Sequence, residues 1–215
     1  MSAVSAAKTT RTYNSRGRQE QARRNRDSIL DIARAGFLAH GYAATTMTSI
    51  ADKAGVAIDT VHKAFGGKAG LVRAIYERGL AGDGPVAAPL RSDEMQHTES
   101  DPHVVVRRWG ALGAEVAPLV APIHLLVRDA AITDPEMAAL LRDSDSQRRD
   151  RMRQNATTLA DRGHLKTGVT LEAATDLMWT YSSPELYELL VVRCGWDPAR
   201  YGQFIGDSLA AALLP

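Results

Sequence analysis

Apolar residues recur at helical spacing along most of this chain, and nowhere do they alternate with polar ones over strand length between turn signals. Ile29, Leu30, Ala33 and Phe37 mark the inner face of a first helix over about 20–40. Gly41 closes it, because a helix end favours a residue that tolerates positive φ. Thr45 and Thr46 offer capping oxygens ahead of Met47, Ile50, Ala51 and Ala54, a one-sided apolar set that ends at Gly55. A third short helix spans Ile58 to Phe65, stopped by Gly66 and Gly67, and Leu71, Val72 and Ile75 continue the spacing in a fourth. Residues 79–100 hold Gly, Pro, Ser and acidic groups with scattered apolar positions and read as a linker or mobile loop.

Beyond it, Asp101-Pro102, Asp134-Pro135 and Asp197-Pro198 mark helix starts: the carboxylate caps free amides and proline needs no hydrogen bond in the first turn. Val105, Trp109, Leu112 and Val116 form one stripe, and Pro118 and Pro122 are expected to separate it from a next helix carrying Ile123, Leu126 and Val127. A seventh helix over Pro135 to Arg162 has apolar ends and a charged, solvent-facing middle from Arg142 to Arg151. An eighth runs from Leu171 to Cys194 with a kink at Pro184, and a ninth from Pro198 to near Leu213. The expected fold is all-α with about nine helices.

Composition adds limits. The chain has 215 residues, 45% hydrophobic and 24% charged, which suits a folded protein with a real core. One cysteine, Cys194, excludes a disulfide framework or a multi-cysteine metal site and reads as a packed thiol in a reducing compartment. No run approaches 18 apolar residues, and no apolar stretch suited to a leader precedes the basic N-terminal cluster. The expectation is a cytoplasmic protein with no membrane partner. The net charge of +1 hides an asymmetry: residues 1–78 carry thirteen basic and six acidic groups, net +7, which leaves thirteen against nineteen, net −6. A polyanion-binding module joined to a non-binding one has that distribution, although a solvated basic face has it too.

The stretch from Gly41 to Val56, with two short helices joined by Gly55-Val56 after a threonine pair, forms a helix-turn-helix in which Ile50, Val56 and Val61 fill the wedge. This block, with Thr60-Val61-His62-Lys63-Ala64-Phe65-Gly66-Gly67-Lys68 after it, resembles the TetR family of one-component transcriptional regulators over about residues 25–78. The resemblance implies a three-helix DNA-binding domain over 20–67 after a basic disordered tail over 1–19. A helical domain over 68–215 would bind a small-molecule effector and dimerise. It further implies a homodimer on a palindromic double-stranded DNA operator, most often as a repressor. Carried onto this sequence, the DNA-binding positions are Thr46 and Met47 at the start of the second helix, Ile58, Asp59, His62 and Lys63 on the recognition helix, and Lys68. His62 stands where the family usually has a tyrosine, Ala64 replaces a common histidine, and Asp59 would repel the backbone unless it accepts from a cytosine amino group. Arg16 and Arg18 in the tail could reach a minor groove or merely solvate it.

In the C-terminal half, Trp109, Leu112, Val116, Met137, Leu141, Met178 and Trp179 could line an apolar pocket or pack as core, and Arg108, Glu115 and His124 could orient a polar group. Leu186, Leu189 and Leu190 with Phe204, Ile205 and Leu209 suit a four-helix dimer seam, or packing within one subunit. No nucleophile elbow, Gly-rich phosphate loop or His-Glu-x-x-His pair is present, so no enzyme, metal or cofactor is expected. The competing reading is a helical small-molecule binding protein or enzyme whose helix-turn-helix no longer binds DNA.

Overall fold

The structure is a computed structural model that describes residues 10–215, with side chains from Gly17 onward. The Arg16 side chain therefore lies outside the described residues, as do residues 1–9 of the disordered tail expected over 1–19; residues 10–19 of that tail are helical instead. Every regular element among the described residues is helical. The chain divides into two compact units, Met1–Leu71 and Val72–Pro215, and the division falls inside one helix, α4.

In the first unit α1 (Thr10–Ala44) buries Ile29, Leu30, Ala33 and Phe37 and leaves helical geometry at Gly41, where φ is 79°. It begins ten residues earlier than the helical pattern read from about residue 20. Thr45 donates its hydroxyl to the Gly41 carbonyl (2.9 Å), and Thr46 caps α2 (Met47–Ala54) reciprocally with Ser49, at 3.1 and 3.3 Å. Gly55, at φ 64°, turns the chain into α3 (Ile58–Phe65), and Gly66, at φ 77°, ends it before α4 (Lys68–Ala81).

The second unit departs from the sequence reading at several elements. The expected loop contains α5 (Ala88–Thr98), whose buried face is Ala88, Ser92, Met95 and Gln96, helical in spacing but half polar. Pro118 and Pro122 do not break α6 (Pro102–Ala130): four residues apart, they cost that helix only the two bonds their missing amides would make, and packing on α7 (Pro135–Asp161) and α10 (Pro198–Leu213) holds it. The eighth helix stops early, as α8 (Leu171–Tyr181), because Ser183 is forced extended ahead of Pro184. Pro184 instead opens α9 (Pro184–Tyr187), which passes into a π-helical stretch over Glu188–Arg193, and Cys194 at its end is exposed rather than packed. Asp101, Asp134 and Asp197 cap α6, α7 and α10 as expected.

Helix α6 is long and apolar enough to cross a membrane by length and composition, yet it occupies the middle of this unit, packed on α10, α7 and α9. The α6–α10 crossing is glycine against glycine: a Cβ on Gly110 would lie 2.2 Å from the Gly202 carbonyl oxygen and 2.8 Å from the Gly206 nitrogen. Val105, Val106, Trp109, Met178, Tyr201, Ile205 and Leu213 form the core around that crossing.

Candidate functional site

The helix-turn-helix presents one face of α3. Val61 and Phe65 are its buried seat, so Ile58, Asp59, Thr60, His62 and Lys63 face outward. Arg26 of α1 fixes the end of the helix, donating to the Ala64 carbonyl (3.0 Å) with its guanidinium 4.4 Å from the centre of the Phe65 ring. Thr46 is exposed beside the free amides at the start of α2, whereas Met47 is half-buried. Lys68 lies 4.2 Å over the Tyr42 ring and donates to the Ala43 carbonyl at 3.3 Å, which ties the start of α4 to the end of α1. Arg18 is exposed on α1. The sequence reading missed Arg26 because a long-range clamp leaves no local spacing signal.

The second unit holds a cavity of about 370 Å³. Helix α6 supplies an apolar wall of Trp109, Leu112, Val116 and Val120, completed by Leu80 of α4, Met178 and Tyr181 of α8, and Tyr201, Ile205 and Leu209 of α10. Helix α7 adds a polar stripe, Ser144, Gln147, Arg148, Arg151 and Asn155. The charged middle of α7, expected to face solvent, therefore turns one side inward, and the spacing i, i+3, i+4, i+7, i+11 was the signal that could have shown it. At one end Trp109 donates its indole N–H to Ser92 (3.2 Å) and Gln96 bridges Ser92 and Asn155, so the tryptophan offers the cavity an apolar ring. Tyr76 and Tyr187 also reach the wall.

Of the ligand candidates, Trp109, Leu112, Val116 and Met178 line this space; His124, Met137, Leu141 and Trp179 do not. Met137 is core, and the cavity begins beyond Leu141 at Ser144. Met178 and Tyr181 share the inward face of α8, whereas Trp179, about 100° around from Met178, has its ring against Arg148 and Arg149 (4.8 and 5.5 Å). Glu115 is clamped by Arg91 (Nη1 to Oε2 2.9 Å), which lowers its carboxyl below the ordinary range, and Arg108 is exposed. Of the dimer candidates, Ile205 and Leu209 are buried within the subunit, because Gly202 and Gly206 press that face of α10 onto α6. Leu186, Leu190 and Phe204 are half-buried, while Leu189 is 50% exposed beside Val192 at 64%.

His124 sits behind the wall, with Nε2 3.3 Å from Asp145, its ring 5.9 Å from that of Tyr76, and Nδ1 without a hydrogen-bond partner. Burial holds its imidazole below the usual histidine range; Asp145 and Glu185 oppose that, and Arg148 and Arg128 reinforce it. The native ring stays neutral while the unfolded chain takes up a proton below about pH 6.5, so the stability His124 contributes above that pH is lost as pH falls. Urea unfolding between pH 7.5 and 5.5 is expected to show a steeper loss in the wild type than in His124→Gln, by up to about 1.4 kcal/mol per pH unit. Equal slopes in the two proteins would remove His124 as the cause.

An exposed, mixed-charge α3 on a three-helix scaffold has the arrangement of a helix-turn-helix. Residues 29–75 match the family described as bacterial regulatory proteins of the tetR family. No curated protein matches the sequence. Among solved structures, SmeT, the repressor of the Stenotrophomonas maltophilia multidrug efflux pump SmeDEF, is 23% identical over 88% of this chain and 90% of its own, with a TM-score of 0.61. Its complex with triclosan gives 22%, 89%, 92% and 0.69. NalD, the secondary repressor of the Pseudomonas aeruginosa pump MexAB-OprM, is 18% identical over 91% of this chain and 98% of its own at 0.67. FadR of Bacillus halodurans, a fatty acid degradation regulator, is 16% identical over 86% and 94% at 0.70. At these identities the likeness is one of fold, and it extends over both units.

Proposed function

We propose that the protein is a ligand-responsive transcriptional repressor that binds a palindromic operator as a homodimer and is released by a small, largely apolar effector. The observation that carries this reading is the 370 Å³ apolar cavity in a helical body joined to a tetR-family DNA-binding domain. Repressors of the same fold support it, one of them in complex with the small apolar molecule triclosan. Lys63, His62 and Thr46 would meet the operator with Lys68 behind them, and the half-exposed row Leu186, Leu189, Leu190 and Phe204 would close the dimer. A DNA partner places the work in the cytoplasm, and the role is binding, not catalysis.

Retardation of DNA flanking its own coding region, at modest salt, tests this. If each subunit neutralises about four phosphates, log affinity against log salt has a slope near −7. The exposed carboxylate of Asp59 on α3 favours a second reading, a small-molecule binding protein or enzyme whose helix-turn-helix no longer holds DNA. Failure to retard any flanking fragment would select it.

A further inference from the structure

We propose that the cavity takes an apolar organic acid whose carboxylate is held by Arg148; this rests on the effector-binding reading above and names the ligand class. Among the described residues, the only charged side chains lining the space are Arg148 and Arg151, and no carboxylate faces it. Arg151 is already neutralised, 2.7 Å from Asp93 and bonded to the Pro89 carbonyl at 3.1 Å. Arg148 is not. Its side chain is 14% exposed, and Nη1 is spent on two neutral oxygens, the Trp179 carbonyl (2.7 Å) and the Ser182 hydroxyl (3.1 Å). Nη2 reaches a carboxylate only at 3.4 Å, on Asp145, whose same oxygen also faces His124 at 3.3 Å, and Nε has no hydrogen-bond partner. A half-buried guanidinium with an incomplete counter-charge is costly, and a planar carboxylate is the group whose two oxygens match its donors.

The surroundings fit the same ligand. Burial pushes the phenols of Tyr76 and Tyr201 up to about 12, against the opposing pull of Arg148, so both remain neutral hydroxyls at physiological pH. They can donate to an anion and cannot replace it as counter-charge. The same cavity has the apolar wall of α6, which would take the body of the acid. A cationic ligand would meet the guanidinium with no carboxylate in the wall to balance it, and a neutral one would leave it uncompensated.

The test is calorimetric titration of the full chain with decanoate, decan-1-ol and decyltrimethylammonium, three probes that share one apolar body. Decanoate is expected to bind about tenfold or more tighter than the alcohol, and the cation weakest. Arg148→Gln should remove that preference while changing decan-1-ol affinity less than about twofold. Arg149→Gln, the same charge change on a residue outside the cavity, should leave the preference intact, and Arg148→Lys should retain part of it. Equal or tighter binding of the alcohol or the cation by the wild type overturns the proposal. So does an Arg148→Gln variant that weakens all three ligands alike, or the absence of binding by any of them. If Arg148→Gln does not fold, the wild-type series and Arg148→Lys decide. DNA retardation on the same preparations separates the two levels: an Arg148-dependent anion preference without DNA binding overturns the repressor reading alone, and DNA binding without the preference overturns this inference alone.

Discussion

Gly110→Ala is expected to destabilise the second unit by about 3 kcal/mol, the upper end of what one added methyl costs a packed interior. The new Cβ would stand 2.2 Å from the Gly202 carbonyl oxygen and 2.8 Å from the Gly206 nitrogen. Both opposing atoms are backbone, so no rotamer change relieves the clash; α6 and α10 must move apart by roughly 1 Å to restore an ordinary carbon–oxygen contact. That separation loosens the crossing around which Val106, Ile205 and Leu209 pack, and Ile205 and Leu209 are also cavity wall, so ligand affinity should fall together with stability. Gly113→Ala, one turn along the same helix, supplies the contrast. Nothing lies within 4 Å of its added Cβ, so the better helix propensity of alanine should stabilise the protein by about 0.5–1 kcal/mol. Urea unfolding of the two variants would separate them, and equal midpoints would mean that the crossing yields more easily than its backbone contacts imply.

The same crossing shows where the sequence was legible and where it was not. Helix starts set by a side chain and its immediate neighbours were plain: Asp101, Asp134 and Asp197 cap as their Asp-Pro pairs announce, and of the threonine pair Thr46 caps α2 while Thr45 bonds the Gly41 carbonyl. Features that depend on a distant partner were not. Helix α5 escaped notice because its inward face includes Ser92 and Gln96, which become good interior residues only when Trp109 and Asn155 complete their hydrogen bonds. Arg148 reads as surface charge for the same reason, since its partners stand on α8 and just beyond it, 31 and 34 residues away. Glycines at 110, 202 and 206 gave no hydrophobic signal at all, yet they decide that Ile205 and Leu209 turn inward and away from a dimer seam. The apolar half of the cavity was partly readable from the stripe Trp109, Leu112 and Val116; the polar half was not.

Lys63→Glu is expected to weaken operator binding about 100-fold at physiological salt while leaving the fold almost unchanged. The lysine is exposed on α3, whose seat in the domain is Val61 and Phe65, so its replacement touches no buried contact and should alter stability by less than about 0.5 kcal/mol. Lys68 would not give so clean a result, since it holds the Ala43 carbonyl and the Tyr42 ring within the domain. A charge-assisted hydrogen bond to phosphate contributes about 1.5 kcal/mol or more, and a dimer loses two of them, which together give the 100-fold loss. Counterion release adds an independent signature. Removing one phosphate contact per subunit should flatten the log–log salt dependence by about 1.8, whereas a variant that had merely unfolded would lose binding at every salt concentration. Glutamate also adds repulsion beside Asp59, so Lys63→Gln should retain more affinity than Lys63→Glu while showing the same change of slope. Fluorescence anisotropy of a labelled operator between 50 and 200 mM salt would measure both quantities. An unchanged slope with reduced affinity would make the effect of Lys63 one of positioning, and unchanged affinity would take the basic end of α3 off the DNA.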